Sequence, residues 1–304
     1  MRGISRRFGN LTALDNVSFH VEPGEIVALL GPNGAGKTTA SRIIAGILAP
    51  TSGEVMVNGI AVTRDPNDVR RSTGMVTDQP SLYERMTLRA YLGFFADLYE
   101  LPVPAKRVTE LAVMLGLADR LDARLGSFSR GMKQKVAIAR GLVHDPPVLL
   151  LDEPATALDP ETALSLRAFI VSLRARHRAI LLCTHDLDEA QRIADRVVVL
   201  YRGRVAREGT TDALRAVDRP TFVVTFDGDE ERARAALLRV GVEATSAGSN
   251  GTPALRFAAD RANETNPAVL RALLDDGVRV LTLVREERTL EEAYFAIVSQ
   301  AGKS

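Results

Sequence analysis

The run Gly31-Pro32-Asn33-Gly34-Ala35-Gly36-Lys37-Thr38 fits the spacing G-x-x-x-x-G-K-[ST] at every constrained position. Glycines let such a loop wrap tightly, so that successive backbone N–H groups converge on phosphate oxygens while the following helix points its positive end at the same anion. In that arrangement Lys37 reaches the β- and γ-phosphates, and the Thr38 hydroxyl faces Mg²⁺. A second chemical element is the strand-like run Val148-Leu149-Leu150-Leu151 ending abruptly in Asp152-Glu153-Pro154. Acids at the carboxyl end of a buried parallel strand stand where α/β folds bind ligands. Asp152 can hold Mg²⁺ opposite Thr38, which leaves Glu153 free to polarise an attacking water as general base.

Further residues gain meaning from their position. Ser129 and Gly131, in Ser127-Phe128-Ser129-Arg130-Gly131-Met132-Lys133-Gln134-Lys135, precede a helix expected from Val136 to Val143, and alone read as an N-cap. His185 ends the apolar run Ala179 to Thr184; His20, His144 and His177 lack comparable surroundings. The single cysteine, Cys183, excludes an internal disulfide and reads as an inert core thiol.

The elements that must position these groups follow from periodicity. Ile26 to Leu30 is a short, wholly apolar run that reads as a buried strand feeding the loop, and Ala40 to Leu48 continues the helix after it. Val17 to Val21 alternates like a strand, and Thr73 to Thr77 reads as another buried one. Helical spacing dominates Thr87 to Leu117 and is broken at Pro102 and Pro104. Ala157-Leu158-Asp159-Pro160 turns into a helix over Thr162 to Arg174. From Pro220 the pattern becomes strand, helix, two strands, a helix from Asn266 to Asp275, strand and a last helix from Thr289 with a Thr-x-x-Glu capping box to Glu292. That order suits a small split-βαβ layer without a catalytic cluster.

Composition bounds the answer. The 304 residues are 46% hydrophobic and 25% charged with a net charge of +1, ordinary for a globular chain of about two domains. Near-neutral charge and the lack of a basic block argue against a nucleic-acid partner. No apolar run approaches the roughly 18 residues of a membrane span, and the N-terminus carries no signal pattern, so a cytosolic protein without direct membrane insertion is expected.

Taken together, these segments resemble the ATP-binding subunit of ATP-binding-cassette (ABC) transporters, over roughly residues 4 to 215. GPNGAGKTT looks like the family's Walker A, FSRGMKQK like its signature, LLLDEP like Walker B, ATALDP like the D-loop and LLCTHD like the histidine switch. The resemblance implies ATP and Mg²⁺ as ligands, held by Gly31, Pro32, Asn33, Gly34, Ala35, Gly36, Lys37, Thr38 and Thr39, with Phe8 stacking on the adenine. In that family two cassettes meet head to tail, so Ser129 and Gly131 would bind the γ-phosphate of the opposite subunit's ATP. Asp159 would link the two sites, and His185 would clamp the γ-phosphate beside Glu153 and Lys37. Phe128, Arg130 and Met132 stand where the family usually has the Leu, first Gly and Gln of LSGGQ. This variant resembles the branch serving drug-exporting and related ABC-2-type permeases. The family's Q-loop glutamine falls on Asp78, with Gln79 one residue later, and both are candidates for the Mg²⁺ and the attacking water.

The expected fold is therefore α/β: a P-loop NTPase with a mixed core sheet, an antiparallel β subdomain and an inserted helical subdomain at about 79–140. Residues 1–217 form the cassette, and 218–304 a small α+β domain like the accessory region of many drug-export ATPases, with a dimer-stabilising or regulatory role. The expected activity is ATP hydrolysis in a nucleotide-dependent homodimer that drives a separate membrane permease, the chain being held at the inner face of the membrane through that subunit. A soluble cassette protein acting on ribosomes or DNA is the alternative; such proteins generally carry a second cassette or a long insertion, and this sequence shows neither. A phosphate-loop kinase leaves the signature, D-loop and His185 without a role.

Overall fold

The computed structural model describes residues 1–79, 81–156, 158–216, 219–248, 252–286 and 289–302. The chain divides into two compact units, one of Met1–Leu214 with the residues from Tyr294 onward, the other of Arg215–Ala293. The helix Leu290–Ala301 thus begins in one unit and ends in the other. The expected domain boundary, at Val217 and Asp218, lies outside the described residues.

In the first unit a six-stranded sheet runs in the order Arg204–Thr210, Arg196–Tyr201, Ile26–Leu30, Ala179–Thr184, Val148–Asp152, Thr73–Val76. All neighbours are parallel except the first pair. Ile26–Leu30 and Ala179–Thr184 are buried at every position, as strands covered on both faces must be, and this is why they read as unbroken apolar runs. The register pairs Leu30 with Thr184 and Asp152 with Cys183. One sheet edge therefore delivers the phosphate-loop sequence, the two acids and the histidine to the same place.

A three-stranded antiparallel sheet of Leu11–Val17, Arg2–Phe8 and Ser52–Glu54 adjoins this core. The strand expected at Val17 to Val21 ends at Val17; Ser18 onward carries only turns up to Ile26. The N-terminal strands earlier in the chain alternate weakly because Gly3 and Gly9 both take positive φ and the ladder is irregular between Ile4 and Arg7. The helical part contains Leu88–Leu98, Pro104–Met114 and Arg130–Leu142, packed through Tyr91, Leu92, Leu111 and Val136. Arg107 ties Pro104–Met114 to the end of Arg130–Leu142 by donating to the carbonyls of Leu142 (2.6 Å) and Val143 (3.0 Å). The helix expected to start at Val136 starts at Arg130, so Gly131 lies inside its first turn.

The second unit is an antiparallel sheet in the order Ala244–Ser246, Ala254–Ala258, Thr221–Asp227, Arg279–Glu286. Phe222, Val224, Phe226, Leu255 and Phe257 pack with Ala233 and Leu237 of the helix Glu230–Arg239 and Val269 and Leu273 of the helix Ala262–Asp275. This is the split-βαβ order expected. The second of these helices starts four residues before the predicted Asn266 and accommodates Pro267 in its second turn. Thr289 and Glu292 form the reciprocal capping box, at 2.9 and 3.1 Å.

Candidate active site

The loop after Ile26–Leu30 needs glycine for steric reasons at two places. A Cβ on Gly31 would lie 2.3 Å from the Leu200 carbonyl oxygen. Gly36 has φ +110° and a Cβ there would lie 2.7 Å from Ala13 O. Gly36 also stands at the N-cap of Lys37–Ile44, where free N–H groups face the loop. The buried Lys37 ammonium donates to Gly31 O at 2.6 Å, a local carbonyl standing where an anion could compete for it, and lies 3.7 Å from Glu153 Oε1.

Thr38 Oγ1 donates to Asp152 Oδ2 at 2.9 Å. Burial pushes the Asp152 carboxyl above the usual carboxylate range; the Thr38 bond opposes this, and the like charges of Glu153 and Asp78 add to it. Glu153 has φ +50°, rare for a residue with a Cβ. Its N–H bonds to Cys183 O at 2.8 Å, and its carboxylate accepts from Thr156 Oγ1 at 3.1 Å and meets His185 Nδ1 at 2.8 Å. The strained backbone aims the carboxylate out of the strand line toward Lys37 and His185.

Lys37, Thr38, Asp152 and Glu153 border a cavity of about 860 Å³ lined also by Phe8, the other loop residues from Pro32 to Thr39, and both Asp78 and Gln79, whereas His185 is linked to it through Glu153. Phe8 ends its strand 44% exposed, with the Arg6 guanidinium 4.5 Å from the ring centroid. Thr77 Oγ1 donates to the Gln79 carbonyl at 2.9 Å, which fixes the turn presenting Asp78 and Gln79. Sequence reasoning missed several contributors to this cavity, among them Leu11, Arg42 and Arg202. Arg202-Gly203 forms the turn between Arg196–Tyr201 and Arg204–Thr210, and the Gly was the available signal.

Ser129, Gly131 and Asp159 do not line this cavity. Ser129 caps Arg130–Leu142 by accepting from Met132 N at 3.3 Å, and Asp159 caps Pro160–Leu173, accepting from Thr162 N (2.9 Å) and Thr162 Oγ1 (2.7 Å). A Cβ at Gly131 would sit 2.5 Å from Thr162 Cγ2, so the two capped helices meet at their first turns. Ala157, in the turn before Asp159, lies outside the described residues. Cys183 is fully buried at 3.0 Å from Ser41 Oγ, and burial first of all pushes its thiol up to about 12, as expected of an inert core group. Among the described residues no helix is long and apolar enough to cross a membrane, and no group of three or more His, Cys, Asp and Glu could hold a metal unaided.

The sequence model of the ABC transporter family matches residues 14–156. The ABC transporter ATP-binding protein NatA of Bacillus subtilis (strain 168) is 39% identical over 223 residues, 71% of this chain and 90% of that protein. Nod factor export ATP-binding protein I of Paraburkholderia xenovorans (strain LB400) is 38% identical over 229 residues, 75% of each chain. A solved ATP-binding cassette, dimeric in a post-hydrolysis state with ADP and Pi bound, is 28% identical, covers 69% of this chain and 97% of that one, and superimposes with a TM-score of 0.63. With the phosphate loop, the two acids and the histidine converging on one sheet edge, these likenesses establish the chain as a member of the ABC transporter ATP-binding family, an ATP-hydrolysing cassette with a P-loop NTPase fold.

Proposed function

We propose that this chain is the ATPase subunit of an ABC exporter, that it dimerises on ATP through its own signature segment, and that it drives a separate membrane permease. The observation that carries the reading is the convergence of Lys37, Thr38, Asp152, Glu153 and His185 at one edge of the core sheet. Export is supported by the likeness to a Nod factor export protein and by the signature variant at Phe128-Ser129-Arg130-Gly131-Met132.

In this reading the triphosphate lies along the Gly31–Thr39 loop, and Lys37 exchanges the Gly31 carbonyl for phosphate oxygens. Phe8 stacks on the base at the far end of the cavity. The oxygen donors Thr38 and Asp152, with Asp78 or Gln79 beyond them, are the hard ligand set that suits Mg²⁺. A Mg²⁺ here would complete its shell with phosphate oxygens and water. When bound, the ion neutralises charge developing on the phosphates. Glu153 accepts a proton from the water that attacks the γ-phosphorus as the bond to the β-phosphate oxygen breaks, and His185 holds the Glu153 carboxylate and the γ-phosphate in register. Ser129 and Gly131 of a second copy close the site over the phosphate with the N-terminus of Arg130–Leu142, and Asp159 joins the two sites. Dissociation of the dimer then follows hydrolysis, because the anion that joined the halves is gone.

The surface by Tyr83 is the candidate receptor for the permease. Tyr83 (55% exposed) stacks edge-on with Tyr91 and Phe94, and Phe94 is itself exposed. An aromatic patch of this kind suits a short amphipathic helix. The second unit, built without a catalytic cluster, is assigned a dimer-stabilising or regulatory role, and the chain a peripheral place at the inner membrane face. Affinity purification of the tagged chain from mildly solubilised membranes tests the whole reading. A stoichiometric polytopic permease supports it, whereas recovery only from the soluble fraction with ribosomal or DNA-repair proteins favours the alternative.

A further inference from the structure

His185 presents a puzzle of positioning. Its side chain is half exposed and touches Glu153 through Nδ1, so packing does not set the ring's direction. The backbone on either side of it must do so. On one side Thr184 Oγ1 accepts from Asp186 N at 3.0 Å; on the other, Asp186 Oδ1 caps Leu187–Ile193 by accepting from Asp188 N and Glu189 N at 2.9 and 3.1 Å. The remaining oxygen, Asp186 Oδ2, accepts from Arg167 Nη2 at 3.1 Å, and Arg167 Nη1 reaches Asp188 Oδ2 at 3.5 Å.

Arg167 belongs to the helix Pro160–Leu173, whose N-cap is Asp159 and whose first turn meets Gly131. Its side chain is only 16% exposed, and its Nε is buried without a partner among the described residues. A surface ion pair of this kind contributes little, but a guanidinium taken largely out of water must be held by its carboxylates, and they by it. Its charge also acts on Glu189, which is 2% exposed with Oε1 unpartnered.

We propose that Arg167 is a positioning residue: through Asp186 and Asp188 it fixes the segment that carries His185, and so sets the imidazole against Glu153 from the helix that starts at Asp159. The inference rests on the assignment of His185 and Glu153 to the hydrolytic site. Arg167 touches neither nucleotide nor the reacting atoms, and its loss acts on the rate of the chemical step rather than on ATP binding.

The test is steady-state ATPase of the full chain together with the ¹H–¹³C resonance of the His185 ring, identified by its disappearance in His185→Ala. Arg167→Met is expected to lower kcat by about 10-fold with KM for ATP nearly unchanged, since a misplaced group of an otherwise intact site loses rate roughly on this scale. The His185 resonance shifts while those of His20, His144 and His177 stay in place. Arg167→Lys recovers part of the rate, because a point charge replaces a fork. Asp186→Asn keeps a capping oxygen but loses the ion pair, gives the same defect, and adds nothing to Arg167→Met in the double variant. The proposal is overturned by a normal kcat in Arg167→Met, or by a rise in KM with movement of all four histidine resonances, which marks general unfolding. A His185→Ala protein with unchanged kcat instead breaks the underlying site assignment; a defect there with Arg167→Met at wild-type rate breaks only this inference.

Discussion

The His185 imidazole meets the Glu153 carboxylate at 2.8 Å through Nδ1, although the two residues follow different strands. The contact exists because Asp152 pairs with Cys183 in the register, and because Glu153 then leaves the strand in a left-handed conformation while bonding Cys183 O. His185→Ala should therefore lower kcat by roughly 10²-fold with little change in ATP affinity, the scale on which misplacing a catalytic group costs rate. Comparing kcat with the Kd for a fluorescent ATP analogue checks this.

Lys37→Ala acts on binding. Its ammonium is buried and donates to Gly31 O in the absence of an anion, so truncation removes charge-assisted bonds worth about 2–3 kcal/mol, a loss of about 30- to 150-fold in ATP affinity. Titration calorimetry reads this directly, and unchanged affinity would remove Lys37 from the phosphate site.

Two glycine substitutions should move stability in opposite directions. Gly31→Ala drives a methyl to 2.3 Å from the Leu200 carbonyl and should destabilise by about 1–3 kcal/mol. Gly93, within Leu88–Leu98, has nothing within 4 Å of its virtual Cβ, and Gly93→Ala should stabilise by about 0.5–1 kcal/mol through helix propensity. Urea unfolding of the two variants measures both signs.

His144, away from the site, reports on acid stability. His144 stacks on Tyr99 with ring centroids 3.9 Å apart, and burial first of all pushes its imidazole down to about 4. The folded state thus binds fewer protons than the unfolded one between about pH 6.5 and 4. Its neutral form leaves stability intact above pH 6.5, and stability falls as pH drops through that window, by about 3 kcal/mol at the lower end. His144→Phe keeps the stack and removes the titration, so the difference between variant and wild-type unfolding free energies should grow on acidification.

Much of the first unit was legible because chemistry and burial coincide there. Strands covered on both faces need continuous apolar residues, so Ile26–Leu30 and Ala179–Thr184 stood out, and the loop after the first needs glycines whose absence would be a clash. The pair Arg196–Tyr201 and Arg204–Thr210 went unread: the first is buried in the middle, but the edge partner Arg204-Val205-Ala206-Arg207-Glu208 is half exposed and looks like loop. Arg202 of the cavity was lost with it. The helix Arg130–Leu142 starts earlier than expected because its first turn is polar and is held by the Ser129 cap rather than by core contacts. The helix expected from Asn266 begins at Ala262 and holds Pro267 inside it. The links from Arg167 to Asp186 and Asp188 had no sequence signal, since they join helices about 20 residues apart through side chains of ordinary types.

Glu153 is the residue on which the account turns, and Glu153→Gln tests it in one preparation. The variant keeps the shape and most contacts of the carboxylate but cannot take a proton from water, so ATP should bind and remain uncleaved. Size-exclusion chromatography with light scattering, run with ATP and Mg²⁺ alongside an ATPase assay, should show a stable dimer and a kcat reduced by about 10²-fold or more. A monomer turning over ATP at the wild-type rate would contradict both the assigned base and the nucleotide-held dimer.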